Sequence, residues 1–278
     1  AEAGRCYEKA QQYARAAQCY EKVNKYSEAG QCYETAFRYG EAGRCYEHAK
    51  RYPEAARCYE KAGKFAEAGK CYERMQEYEG AAKCYQQAQM FGEAGRCYEL
   101  NQQYEAAAAC YEKAQKYVEA AKCHERVGRT GEAARCRALN AERNAKPLQA
   151  AKYYEQAGLY ADAGRCYRHA SKYDEAAQYY EKASCFAEAG ECYQYAQRFS
   201  EAARCYEKVG KYAEAAGCYE RIGGYTRAAR CYERVFRYAD AARCYERAGD
   251  TKSAACCLAK QAEQEGQYAQ AGQWYEQA

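Results

Sequence analysis

The sequence predicts an all-α fold: an α-solenoid (superhelix) of about 21 short antiparallel helices stacked as helical hairpins. Three observations carry that prediction. Cysteines recur at a fixed step of 13 from Cys6 to Cys136, and after a step of 17 the same ladder resumes. Within each unit the apolar residues fall on one arc of a helix and the polar residues on the other. Finally, 13 residues turn through about 1300°, about 220° beyond three full turns, so one continuous helix would swing its apolar arc away from any partner at every unit. The helix must therefore break once per unit.

With the ladder residue as position 0, Tyr153, Tyr179 and Trp274 take the rung in three units and Cys in the other 18. Position −3 is Ala in all 21 units and −2 is always Ala or Gly. Position +1 is Tyr in 18 units, with His124, Arg137 and Leu258 the exceptions, and +2 is Glu in 16. An aromatic stands at −6 in 17 of the 20 units that contain this position. At about 100° per residue, positions 0, +4, −3, +1 and −2 span about 160° of arc, and +2, +6, −1, +3 and −4 fill the opposite side. Glu at +2 is thus expected on the solvated face.

The first run of repeats covers residues 1–138. Breaks are expected between +5 and −5, where Gly63, Gly128, Gly158, Gly210, Gly223 and Gly249 suit helix C-caps. Pro53, Ser27, Asp174, Ser200 and Thr226 suit the start of the following helix. Each helix is then about ten residues, ~15 Å, and the short link makes neighbours antiparallel. Helices of that length are marginal alone and must be stabilised by stacking. An irregular joint is expected at 139–152, after Thr130-Gly-Glu-Ala-Ala-Arg-Cys136, where four extra residues precede Tyr153. The second run covers 153–259. Residues 260–278 form a second joint and the start of a further repeat, again after a Thr-led unit, Thr251-Lys-Ser-Ala-Ala-Cys-Cys257. Four residues are about one helical turn, so each joint extends a helix or resets its phase. Alternation of Ala and Gly at −2, as in Ala56, Gly69, Ala82, Gly95 and Ala108, suggests a two-helix period.

The segment Gly210-Lys-Tyr-Ala-Glu-Ala-Ala-Gly-Cys-Tyr-Glu-Arg-Ile222 resembles the second-helix half of a tetratricopeptide repeat, as does Gly63-Lys-Phe-Ala-Glu-Ala-Gly-Lys-Cys-Tyr-Glu-Arg-Met75. The match recurs along the chain, for example through Ala202, Tyr206 and Val209. It departs in period, because a tetratricopeptide unit alternates two different helices over about 34 residues. The resemblance implies a protein-interaction solenoid without enzymatic activity. It carries over no binding residues, since the groove-lining first helix has no counterpart.

Composition narrows the function classes. A net charge of +4, evenly spread, argues against a nucleic-acid partner, and no run of 18 apolar residues suggests a membrane span. No phosphate loop, nucleophile elbow or unique catalytic grouping stands outside the repeat, so no catalytic, cofactor-binding or metal-ligating residues are predicted and no cofactor is expected. His48 and His169 lie at +3 on the polar arc, and His124 replaces a repeat Tyr; they do not cluster into a ligand set. The ladder cysteines read as small hydrophobes in a continuous internal layer. Free thiols would favour the cytoplasm and disulfides the exterior, and Cys185, in a connection, is the expected reactive thiol. Tyr at +1 and −6 reads as core, with exposed rings as the alternative. The expected function is a non-catalytic scaffold that binds a protein partner through an extended superhelical surface. The alternative is a structural subunit whose uncapped solenoid ends stack on further copies into filaments or tubes.

Overall fold

The computed structural model describes residues 2–278, and all its regular structure is helical. There are 21 helices among the described residues, one per unit. Most have ten residues, and three-residue turns such as 36–38 separate α3 (Tyr26–Thr35) from α4 (Tyr39–His48). Helices α11 (Thr130–Arg143) and α20 (Thr251–Gln264) have 14 residues, so the extra residues of the irregular units lengthen the helix by one turn.

The turns all close in the same way, one helical turn later after the two long helices. The +5 residue takes a left-handed conformation, its N–H bonds to the carbonyl of +2, and the next N–H reaches back to +1: Phe37 to Glu34 at 3.0 Å and Arg38 to Tyr33 at 2.8 Å. This is a Schellman motif, which satisfies carbonyls that a helix end otherwise leaves free. The six glycines expected at C-caps all adopt positive φ. So do 13 non-glycine residues, among them Phe37 and Phe236 at φ 58°, although the conformation costs an L-residue roughly 1–2 kcal/mol. At the other end the helix starts at the −6 aromatic, two residues earlier than a cap at Ser27, Asp174, Ser200 or Thr226 requires, so these residues lie inside the first turn. The residue ahead of it, such as Lys25, Arg198 or Gly224, makes no side-chain cap. Asp250, ahead of α20, does cap: it accepts from the Ser253 N–H at 3.0 Å.

The chain divides into two compact units, one ending at Asn140 and one beginning at Ala141. In the first, consecutive helices pack from α1 (Glu2–Lys9) to α10 (Tyr117–Arg126); in the second, from α12 (Pro147–Gln156) to α21 (Tyr268–Gln277). Both cores are built from the same positions. Ala at −3, Ala or Gly at −2, Cys at 0 and Tyr at +1 are buried on helix after helix, as in Ala55, Ala56, Cys58 and Tyr59. The small residue at −2 is required because the +1 ring of the next helix lies on it. A Cβ added at Gly43 would meet the Tyr59 ring at 2.7 Å, and one at Gly30 the Tyr46 ring at 2.9 Å. The Ala/Gly alternation leaves ring burial unchanged: Tyr33, 16 residues after Ala17, and Tyr46, 16 after Gly30, are both fully covered.

Candidate functional site

The recurring polar feature of the array is the carboxylate at +2. Its place on a helical wheel suggests solvent, but packing against the next two helices draws it into a half-buried node. Glu21 accepts from Tyr33 Oη at 2.8 Å and from Cys45 Sγ at 3.3 Å, while Arg44 pairs with it at 3.0 Å. The donors lie 12, 24 and 23 residues ahead, that is, on the next helix and the next but one. The pattern repeats at Glu73 with Tyr85, Cys97 and Arg96, and at Glu207 with Tyr219 and Cys231. Gln substitutes at 86 and 194, where its amide nitrogen turns toward Cys110 and Cys218 and its oxygen still accepts from Tyr98 and Tyr206. The signal for this role was the constancy of Glu at +2, which an ordinary solvated position does not need.

The nodes set the ionisation of the core. Burial, then the hydrogen bond and charge of Glu21, push the Cys45 thiol up to about 12. Burial and Glu8 likewise push Cys32 and Tyr20 up to about 12. For Glu21 itself, burial acts upward, but the hydrogen bonds from Tyr33, Cys45 and Arg44 outweigh it and the carboxyl lies below its ordinary range. Buried thiols held protonated are poor nucleophiles. All 20 cysteines are free, and those off the buried ladder or at its start, Cys6, Cys19, Cys185 and Cys256, are the accessible ones.

The long helices keep the node grammar in two phases. In α11, Cys136 bonds back to Glu112, while Glu142, six residues later, accepts from Tyr154 at 2.8 Å and from Cys166 at 3.3 Å. The extra turn therefore restores the 12- and 24-residue spacing that the inserted residues interrupt.

A second recurring feature lies on the surface. The +3 cation of one helix covers the −6 ring of the helix before it: Lys61 over Tyr39 at 5.0 Å, Lys208 over Phe186 at 4.2 Å, Arg234 over Tyr212 at 4.9 Å. His48 stacks on Tyr26 and Tyr195 on Tyr173 in the same register. Beside this rail lie open depressions. One, of about 590 Å³, is lined by Glu191, Gln194, Tyr195, Gln197, Phe199 and Arg221. Another, of about 480 Å³, is lined by Glu8, Tyr13, Gln31, Cys32, Glu34 and Thr35. They share repeat positions: +2 on helices two apart or on the first of them, −6 on the helix between, and +3 at the rim.

One node is irregular. At Glu112 the +1 residue of the following helix is His124 instead of Tyr. Its Nε2 lies 2.7 Å from Glu112 Oε1, and Cys136 Sγ is 3.4 Å from the same oxygen. Arg135 holds Oε2 at 2.6 Å. Burial acts upward on Glu112, but the bonds from His124 and Arg135 prevail and lower it. Sequence spacing treats His124 as an isolated exchange; tertiary packing sets it beside a carboxylate and a thiol.

Models of the tetratricopeptide repeat match residues 159–189 and 199–224, 88–120, and 2–29. The chain is a tetratricopeptide-like solenoid. Its tetratricopeptide-like units differ from the longer pattern in using one helix type every 13 residues, with Cys at the centre. Among solved structures it is similar to Naa15/Naa10 bound to HypK-THB, at 13% identity over 98% of this chain and 62% of that one, TM-score 0.33. It is also similar to the P58(IPK) TPR domain, at 14% identity over 95% and 91% of the two chains, TM-score 0.28. A third is the TPR2AB-domain:pHSP90 complex of yeast Sti1, at 15% identity over 97% and 98%, TM-score 0.17. The chain spans less than two thirds of the first of these. No curated protein matches it. No helix among the described residues is long and apolar enough to cross a membrane.

Proposed function

We propose that this tetratricopeptide-like array is a non-catalytic scaffold that holds an extended segment of a protein partner along its +2, +3 and −6 positions. The observation that carries this reading is a pair of open depressions at equivalent repeat positions, each lined by an aromatic ring. Tyr195, which lines one, is 68% exposed, and Arg221, 5.1 Å over the Phe199 ring, lines the same depression. A rigid, exposed aromatic beside an arginine is the composition of binding hot spots.

The test is selection of binders from a random peptide library on the immobilised chain. Selected peptides should compete with one another and lose roughly tenfold or more in affinity against Tyr195→Ala, the effect of a hot-spot residue. Failure to select any saturable binder, or binding indifferent to Tyr195→Ala and Arg221→Ala, overturns the reading.

A further inference from the structure

His124 stands where 18 units carry Tyr, and the residue is only 6% exposed. One ligand atom from each of Glu112, His124 and Cys136 lies within 4.8 Å of the others, and this is the one such group of three His, Cys, Asp or Glu residues among the described residues. The three side chains come from successive helices, α9 (Tyr104–Lys113), α10 and α11. Arg135, bonded to Glu112 Oε2, keeps Oε1 turned toward the imidazole and the thiol. The Glu112 carboxylate can only accept, so it holds the ring proton on Nε2, and His124 Nδ1 is buried without a partner.

We infer that Glu112, His124 and Cys136 form a binding site for a thiolate-preferring divalent cation, Zn²⁺ foremost, with a fourth position left for water. Sulfur, imidazole and carboxylate together are a zinc donor set, whereas a phenol in place of the imidazole is not. Tetrahedral coordination at about 2.0–2.3 Å brings ligand atoms to about 3.3–3.8 Å from one another. The 3.4 Å separation here falls inside that range and the 2.7 Å one below it, so the imidazole and the carboxylate would draw apart on binding. On binding, Cys136 Sγ releases its proton to solvent and forms the metal–sulfur bond. His124 gives up the Nε2 proton it donates to Glu112 and takes one on Nδ1 by exchange with solvent, which frees the Nε2 lone pair for the metal. Glu112 Oε1 exchanges the two hydrogen bonds it accepts for a bond to the metal. The dication is neutralised by one thiolate and one carboxylate, and nothing is oxidised or reduced. The bound ion crosslinks three helices of the first unit.

The full chain, reduced and stripped by a chelator, is titrated with Co²⁺ alone, and the thiolate-to-cobalt charge-transfer absorption is read. One Co²⁺ per chain is expected, displaced by Zn²⁺. His124→Tyr should abolish the band and Glu112→Gln should weaken affinity roughly tenfold or more. Both exchanges put in place residues that the repeat already carries there, Tyr in 18 units and Gln at 86 and 194, so the fold is kept; circular dichroism checks it. Absence of the band in the unaltered chain overturns the proposal. So does a band of undiminished strength in His124→Tyr, which would assign the metal to other thiols.

Discussion

The nodes at Glu207 and Glu112 share a carboxylate, a cysteine 24 residues ahead and a partner 12 residues ahead, and they differ in that partner. At Glu207 it is Tyr219, a neutral phenol donating at 3.1 Å; at Glu112 it is His124, with a ring nitrogen at 2.7 Å. Cys231 and Cys136 lie at the same 3.4 Å from their carboxylates. Node geometry is therefore a property of the repeat packing, and node chemistry is a property of the +1 residue. A uniform array can host a singular site by one exchange, because twenty other units hold the scaffold in place.

Substitutions separate the two contributions. Tyr219→Ala removes a fully buried ring and should lower stability by about 3–5 kcal/mol. His124→Ala, with a smaller ring and one hydrogen bond, should cost about half as much or less. Chemical denaturation followed by helical signal measures both, and equal losses would show that the phenol adds nothing over the imidazole. Removing the carboxylate comes next. Glu207→Ala strands the Tyr219 hydroxyl and the Cys231 thiol and should cost about 1.5–3 kcal/mol. Glu112→Gln, which retains an acceptor and loses a half-exposed pair to Arg135, should cost roughly 1 kcal/mol or less.

The two nodes also divide the pH response. Burial and Glu207 push Cys231 up to about 12 from an ordinary 9.0, so folding favours the protonated thiol. Its contribution is complete below pH 9 and is lost as pH rises from 9 toward about 12. The Glu112 carboxyl lies below its ordinary 4.5, so its contribution is complete above that value and is lost as pH falls through the folded value. Denaturation midpoints across pH should show a plateau with an alkaline limb steepened by the buried thiols and phenols. An alkaline limb no steeper than that of a helical protein lacking them would contradict the node assignment.

The smallest effect concerns the turns beside the nodes. Gln102, leading into the helix of Glu112, sits at φ 59°, and Gly210, following Glu207, at φ 74° with nothing within 4 Å of an added Cβ. Gln102→Gly should raise stability by about 1 kcal/mol and Gly210→Ala should lower it by about as much, both through backbone conformation alone. Thermal midpoints that move in the same direction for both would refute that account.

Much of this was legible before any coordinates. Ala55, Cys58 and Tyr59 fall on one wheel arc and are buried together, and Gly63 and Gly128 mark their turns. Phe37 and Lys50 gave no such mark, because their left-handed conformation is imposed by the helices they join and not by their own preference. The Glu at +2 was misplaced on the solvated face for a related reason: a wheel describes one helix, whereas Glu21 meets Tyr33 and Cys45 from two others.

The sequence by itself determined the 13-residue period, the one helix per unit and the residues that face the core, since these follow from helical geometry and local chain chemistry. Only the tertiary structure decided that residues 12 and 24 apart converge on one carboxylate, and hence that His124, Glu112 and Cys136 meet. That convergence depends on the crossing and register of three packed helices, and no angle within a single helix encodes it.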